Sequence, residues 1–551
     1  MKITKVCIKN YKSIKEIEFT PSEKVNVFIG ENSTGKSNIF NAITWLLGPV
    51  YPTFNNINKE DRFKGKDENK IEITLTFDDG NSLQLAEEWY LGGNKRSGLN
   101  LNSGFINNEQ REKYISSFIG IDRQISDYMP SNKWTLMGRF LQDVNSKFNM
   151  ETIKNPETGE EILKADEFKN KLIELRNDYL FAVKDEDGKN IMNEFINVLQ
   201  KETAAQLNKP EDSFSIDLNL YDPWNFYRTL QLNVHESDIG LDFRASELGM
   251  GVQASITIAL LKAYSKIKLK NNTPIFIDEP ELFLHPHGRR NFYKIIRELA
   301  DNGTQVFLTT HSTEFVDLGN FDEIFLVRKD SDVGTYINTA DPLAFKKDFY
   351  YRKGKETTVD EIKLRYKNAY ENTGDSQKAS EAMFARKIIL VEGESESLIL
   401  PYFFNLIGYD YICKGISIVK CGGKSELDRF YRLYTEFGIP CYIIFDGDAN
   451  HIGTEKEEKT IEKNKDILSL FGIDKIDFPE TEVNDLFLSF KTNLNDNLST
   501  VSSSEKGLEL FKVIKSQIID AKDLPWWVEH LIEKIENLPN KPKSVLKGID
   551  D

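Results

Sequence analysis

The chain has 551 residues, of which 40% are hydrophobic and 29% charged, a balance that supports two or three globular cores and excludes fibrous and disordered classes. Its 71 Lys and Arg against 87 Asp and Glu leave a net charge of −16, which counts against nucleic-acid binding without excluding it, because a carboxylate cluster reverses its local sign once divalent cations bind. Four scattered cysteines (Cys7, Cys413, Cys421, Cys441) and the lack of any apolar run of membrane-spanning length predict a cytoplasmic protein with no zinc site, disulfide framework or membrane contact.

In chain order, Ile3, Val6 and Ile8 alternate as a strand, and Val25-Asn26-Val27-Phe28-Ile29 is a short apolar strand. A turn over Gly30–Gly35 follows, then an amphipathic helix from Lys36 with Ile39, Ile43, Leu46 and Leu47 on one face. Lys70 to Phe77 alternates as another strand, and together these define a first segment, residues 1–95. Residues 96–235 show polar loops and helical stretches at 167–176 and 189–206 without sustained heptads, and read as a helical insertion and dimerisation arm. Residues 236–340 contain a helix at 250–266, the strand Pro274-Ile275-Phe276-Ile277, a helix at 288–300 and the strand Gln305-Val306-Phe307-Leu308, an order that predicts a parallel sheet. Residues 341–383 show no clear period and read as a linker. From 384 to 551 strands are expected at 387–391, 416–420, 441–445 and 474–478, alternating with helices at 396–407, 425–437 and 456–470, followed by a tail with one helical segment around Trp526 and Trp527.

Two groups of residues carry chemistry. Gly30-Glu31-Asn32-Ser33-Thr34-Gly35-Lys36-Ser37 fits the phosphate-binding pattern G-x-x-x-x-G-K-S in its required strand–loop–helix context. The glycines let backbone N–H groups of the loop, Asn32 included, wrap the phosphates of ATP; Lys36 reaches the β- and γ-phosphates, and Ser37 binds magnesium. Ile275-Phe276-Ile277-Asp278-Glu279 supplies the matching acidic strand end, with Asp278 holding the magnesium through water and Glu279 polarising the attacking water. In the last third, Glu392 and Glu396 follow one strand and Asp446-Gly447-Asp448 another. Short acidic turns are ordinarily solvated loops, but an ordered pair of them flanking strands of one α/β repeat fits a magnesium or manganese site, since hard oxygen ligands without His or Cys select those ions.

The first group resembles the ATP-binding-cassette (ABC) ATPases of DNA repair and chromosome maintenance. Ser246-Glu247-Leu248-Gly249-Met250-Gly251-Val252-Gln253 is similar to their signature loop, although it lacks a serine followed directly by two glycines, and His311 matches their switch histidine. The resemblance implies that Gly249 and Gly251 of one copy face the nucleotide of another, so that the chain acts as a homodimer or higher even oligomer. A Glu after the first strand and Asp-x-Asp after the third resemble the Toprim fold. The combination of head and Toprim, carried by Phe384 to Gly393 and by Ile277-Asp278-Glu279-Pro280-Glu281 with Leu284-His285-Pro286, resembles the overcoming-lysogenisation-defect (OLD) family of nucleases, which includes the large subunit of the Gabija antiphage system. That resemblance implies an α/β architecture of ABC-type head, helical insertion and C-terminal Toprim domain, with DNA as substrate and a helicase-like partner in Gabija-type pairs. It further implies a metal-binding Glu482, with Glu480 as substitute, a transition-state lysine at Lys541, with Lys543 as the other choice, and a loop beside the site at Gly422 and Gly423. The function expected is an ATP-regulated, two-metal DNA endonuclease in antiphage defence, in which Glu392, Asp446, Asp448 and Lys541 act on DNA while Glu279 and His311 act on ATP. Two alternatives stand beside it: a non-cutting repair ATPase whose Toprim-like domain binds DNA, and an effector acting on RNA.

Overall fold

A computed structural model describes residues 1–55, 57–120, 129, 135–154, 159–207, 210, 222–236, 238, 240–266, 273–350, 353–473, 475–498 and 505–539. The chain divides into two compact units, one formed by residues 1–114, 274–282 and 289–551 and the other by 115–273 and 283–288. The first unit therefore takes in both the nucleotide-type segments and the C-terminal α/β repeat. The second begins later than the expected arm and includes Ser246–Gln253.

Two sheets organise the first unit. In the larger, strands run in the order Asn94–Leu101, Ser82–Leu91, Glu72–Phe77, Ile3–Tyr11, Ile14–Phe19, Gly334–Asn338, Ile324–Asp330, Val25–Ile29, Val306–Thr309 and Ile275–Asp278. The last four are parallel, with Thr309 beside both Phe28 and Asp278. Those strands are buried on both faces, which is why they read as unbroken apolar runs rather than as alternation. The meander on the other side alternates buried and half-buried positions, as in Glu72–Phe77. The smaller sheet has the order Ile416–Lys420, Lys387–Val391, Cys441–Asp446, Phe487–Phe490, Glu482–Val483, parallel except for the last pair.

Three expectations change here. Residues 341–383 are not an open linker: helices Pro342–Phe345, Val359–Asn372 and Ser376–Ala382 occupy them. Tyr366 is buried, with its ring 5.1 Å from Phe321 and 5.0 Å from Phe345. Residues 475–478 form no strand; the fourth parallel position is filled by Phe487–Phe490, whose main chain pairs with Ile443 to Asp446. Among its described residues the tail carries the α-helices Gly507–Gln517 and Trp527–Asn537, and both contribute to the core of the smaller sheet. Trp527 is 1% exposed, and its indole N–H donates to the Asn497 carbonyl.

Among its described residues the second unit contains helices Leu136–Met150, Lys164–Leu175, Ile191–Leu207, Pro223–Tyr227 and Met250–Lys266, with two short antiparallel strand pairs. The glycine-bearing loop lies at the start of Met250–Lys266, where Gly249 O accepts from the N–H groups of Val252 and Gln253. The buried Gln253 amide donates to the Ser246 and Leu248 carbonyls, which ties that loop down.

Candidate functional site

The parallel strands of the larger sheet end together, and the expected nucleotide residues sit at those ends, where open α/β sheets bind ligands. Gly30 has φ +150°, and an added Cβ would lie 2.3 Å from the Val327 carbonyl oxygen. Gly35 has φ +109°, and its Cβ would strike the Thr335 hydroxyl. Both positions therefore require glycine. Lys36 is 6% exposed and donates to Gly30 O (2.9 Å) and Glu31 O (3.0 Å). Burial lowers its pKa, while the nearby Glu279, Asp278 and Glu281 carboxylates act in the opposite direction. Asn32, on the loop, and Ser37, in the first turn of the helix Lys36–Leu47, are both exposed.

Asp278 accepts from the Thr309 hydroxyl on the neighbouring strand. Glu279 adopts φ +47°, a left-handed conformation uncommon outside glycine, held by its N–H bonds to Thr309 O and Oγ1, both 3.1 Å. His311 Nε2 lies 3.9 Å from Glu279 Oε1. Burial and the Lys36 charge keep the His311 pKa below its usual value. Glu281, 7% exposed, accepts from the His311 N–H (2.6 Å) and the Thr310 hydroxyl (2.9 Å). It anchors the loop that carries His311, a role the sequence reading did not assign. Gly249 and Gly251 belong to the second unit.

The second site lies at the C-terminal ends of Lys387–Val391, Ile416–Lys420 and Cys441–Asp446, over an open cavity of about 1400 Å³. Glu392, Glu396, Asp446 and Asp448 all line it. Glu392 Oε1 accepts the Asp446 N–H (2.9 Å), a bond that couples the two strand ends directly. Glu396 Oε2 folds back to the Gly393 N–H (3.2 Å) at the start of its helix. Asp448, at φ +54°, donates its N–H to Thr492 O. Gly447 passes so close to the next strand that a Cβ would lie 2.7 Å from Lys491 O and 2.8 Å from Phe490 O.

Burial, and then the neighbouring carboxylates, raise the Asp446 pKa well above the carboxylate range. Glu392 is likewise raised by burial, with Lys424 pulling the other way, and Glu396 is raised by burial. The Asp446 Oδ1 atom is buried and accepts no hydrogen bond among the described residues. An orphaned buried carboxylate oxygen is costly, and a hard cation is the partner that its chemistry fits. Among the described residues no three acidic, His or Cys side chains stand as a ready-made cation cage, because Asp448, Glu392 and Glu396 are each engaged by donors of the chain itself. The chemistry of the donor set, hard carboxylate oxygens without His or Cys, fits a divalent cation.

Glu482 does not join this group. It is exposed on the antiparallel edge strand, opposite Ser489, and does not line the cavity. Glu480 pairs instead with Lys491 (2.9 Å) at the surface. Two further acids line the cavity, Glu394 and Asp496, the latter in the turn after Phe487–Phe490. Lys541 and Lys543 lie outside the described residues. Gly422 and Gly423 do sit beside the site, both donating N–H bonds to the Glu392 carbonyl (3.1 and 2.9 Å). The residue after them, Lys424, is the buried lysine of the cluster.

Residues 1–84 and 49–316 match the AAA ATPase domain family, and residues 383–448 match the overcoming lysogenization defect protein-like TOPRIM domain. The chain is 26% identical over 481 residues to the OLD nuclease of Thermus scotoductus, covering 83% of this chain and 84% of the relative. It is 26% identical over 553 residues to the Old nuclease of Escherichia phage P2, covering 94% and 86%. To the endonuclease GajA of Bacillus cereus strain VD045 it is 21% identical over 551 residues, covering 94% and 86%.

Proposed function

This chain belongs to the overcoming-lysogenization-defect family, with an ABC-type ATPase head, a helical insertion and a Toprim domain, and on that premise we propose that it is an ATP-regulated, divalent-metal-dependent DNA endonuclease of antiphage defence. The observation that carries the proposal is the meeting of Glu392, Asp446 and Asp448 at two adjacent strand ends, with Asp446 Oδ1 buried and accepting no hydrogen bond among the described residues.

Glu392, Asp446 and Asp448, with Glu396 in support, are the residues that would hold Mg²⁺ or Mn²⁺. When bound, such ions supply Lewis acidity at the phosphoryl oxygens and a more acidic water. The Asp446 N–H orients Glu392, and Gly447 keeps the Asp446–Asp448 turn pressed against Phe490 and Lys491. Lys420, Lys456 and Lys506 line the same cavity and are suited to the phosphates of the DNA backbone, whose contacts dominate affinity. Lys541 is the family-derived candidate for stabilising the transition state, and Asp496 takes the place expected of Glu482.

In the head, Gly30, Asn32, Gly35, Lys36 and Ser37 would hold the phosphates and magnesium of ATP, with Asp278 on the metal, Glu279 as base and His311 as its neighbour. Gly249 and Gly251 would complete that site from a second copy. A dimer formed through the second unit is supported by Ile191, Phe195, Val198 and Leu199, which lie on one face of the helix Ile191–Leu207 and are 42–57% exposed, at a spacing that makes one apolar stripe. A cytoplasmic location and a helicase-like partner belong to the same reading.

The test is relaxation of supercoiled plasmid with metal and nucleotide varied independently. Relaxation is expected with Mg²⁺ or Mn²⁺ and none in EDTA. Undiminished cutting in EDTA would sink the proposal.

A further inference from the structure

The turn at Gly422-Gly423 is tethered to the Glu392 carbonyl, and Gly423, at φ +129°, starts the helix Lys424–Glu436 so that its first side chain runs inward. Lys424 is 4% exposed, whereas its partner Asp448 is 30% exposed and faces the cavity. The ammonium lies 2.6 Å from Asp448 Oδ2 and 2.9 Å from Asn464 Oδ1. Asn464 is fully buried, and its Nδ2 donates to the carbonyls of Gly447 and Asp477, both at 2.9 Å. Lys424 and Asn464 thus grip the Asp446-Gly447-Asp448 turn twice, at the Gly447 carbonyl and at the Asp448 carboxylate. One Asp448 oxygen is occupied by a cation belonging to the chain.

Resting on the metal-site reading above, we propose that Lys424 is a positioning residue of the nuclease site, a fixed internal cation that holds Asp448 in register and competes with the divalent ion for it. An ordinary buried ion pair satisfies its own members; this one joins the protein interior to a carboxylate that lines the cavity. Glu392, Glu396 and Asp446 are among the other carboxylates that share that cavity. The positive charge moderates the attraction of that group for a cation, and the hydrogen bond sets where Asp448 points. Removing Lys424 therefore has opposite effects on two measurements: the ion binds more tightly, and cleavage slows because Asp448 loses its orientation.

The experiment uses the full chain without nucleotide, titrated with Mn²⁺ alone by calorimetry, beside plasmid nicking at saturating Mn²⁺ and a thermal melt. Loss of a unit charge a few ångströms from a divalent ion is worth about tenfold or more in affinity, so Lys424→Met is expected to bind Mn²⁺ about tenfold more tightly. It should nick about tenfold or more slowly, within the range that misplacement of a catalytic group produces. Lys424→Arg, which keeps the charge, is expected to bind Mn²⁺ within about threefold of wild type, and this second variant guards against a folding defect in the first. Unchanged or weaker Mn²⁺ binding in a folded Lys424→Met protein overturns the proposal, as does equally tightened binding in Lys424→Arg. Wild-type protein that takes up no Mn²⁺ overturns the metal-site reading itself, and the positioning role falls with it.

Discussion

Replacing Asp446 with Asn should make the metal-free protein more stable while it abolishes cleavage. Asp446 is held among Glu392, Glu396 and Asp448, and its Oδ1 atom is buried with no hydrogen bond. Asparagine has nearly the same shape, retains the main-chain N–H bond to Glu392 Oε1, and removes a desolvated like charge. A buried polar atom without a partner costs about 1–3 kcal/mol, and more when charged, so a gain of at least about 1–2 kcal/mol is expected in EDTA. For a domain of about 150–250 residues that corresponds to roughly 2–8 °C in melting temperature. The pH dependence follows from the direction of the shifts. Carboxylates whose folded pKa is raised bind protons on folding, so their penalty is full above the folded pKa and is relieved as pH falls towards the ordinary range near 4. Wild-type stability in EDTA should therefore rise as pH is lowered from above neutrality, and Asp446→Asn should flatten that rise. Thermal melts in EDTA and in Mn²⁺ provide the assay: Mn²⁺ should stabilise wild type and have little effect on the variant. An Asp446→Asn protein that is less stable than wild type in EDTA, or that gains as much from Mn²⁺, would refute the reasoning.

Other consequences are independent of that one. Lys36→Ala should lose ATP binding yet retain some plasmid cleavage, measured by nucleotide filter binding beside nicking; retained ATP binding would contradict the placement of Lys36 in the loop. Glu279→Gln should bind ATP normally but hydrolyse it roughly 100-fold or more slowly, in the range of a lost general base, with single-turnover hydrolysis as the readout. Trp527→Ala should cost about 3–5 kcal/mol, because the ring is fully buried against Phe403 and Phe490. Urea denaturation would reveal that loss, and an exposed tail would show none.

Legibility in the sequence followed burial. Lys387–Val391 and Ile416–Lys420 were readable to the residue because strands covered on both faces leave continuous apolar runs. Phe487–Phe490 was missed because Phe-Leu-Ser-Phe is only four residues long, while Ile476 and Phe478 mimic alternation nearby. The helix Val359–Asn372 was hidden by its charged outer face, although Ile362, Tyr366 and Ala369 form a buried stripe. At the site, Glu392, Glu396, Asp446 and Asp448 were found because strand ends predict where loops converge. Asp496 was not, since it sits in an Asn-rich turn whose side chains cap one another. Lys424 escaped because a lysine at the start of a helix ordinarily reads as solvated; the glycine pair before it was the available signal that the chain turns inward there.

The central claim is that the carboxylates at the strand ends of the smaller sheet cut DNA. Its most direct test is relaxation of supercoiled plasmid by wild type and Asp446→Ala, both folded, at saturating Mn²⁺. The account predicts nicked product from wild type and none above background from Asp446→Ala; equal rates from the two proteins would contradict it.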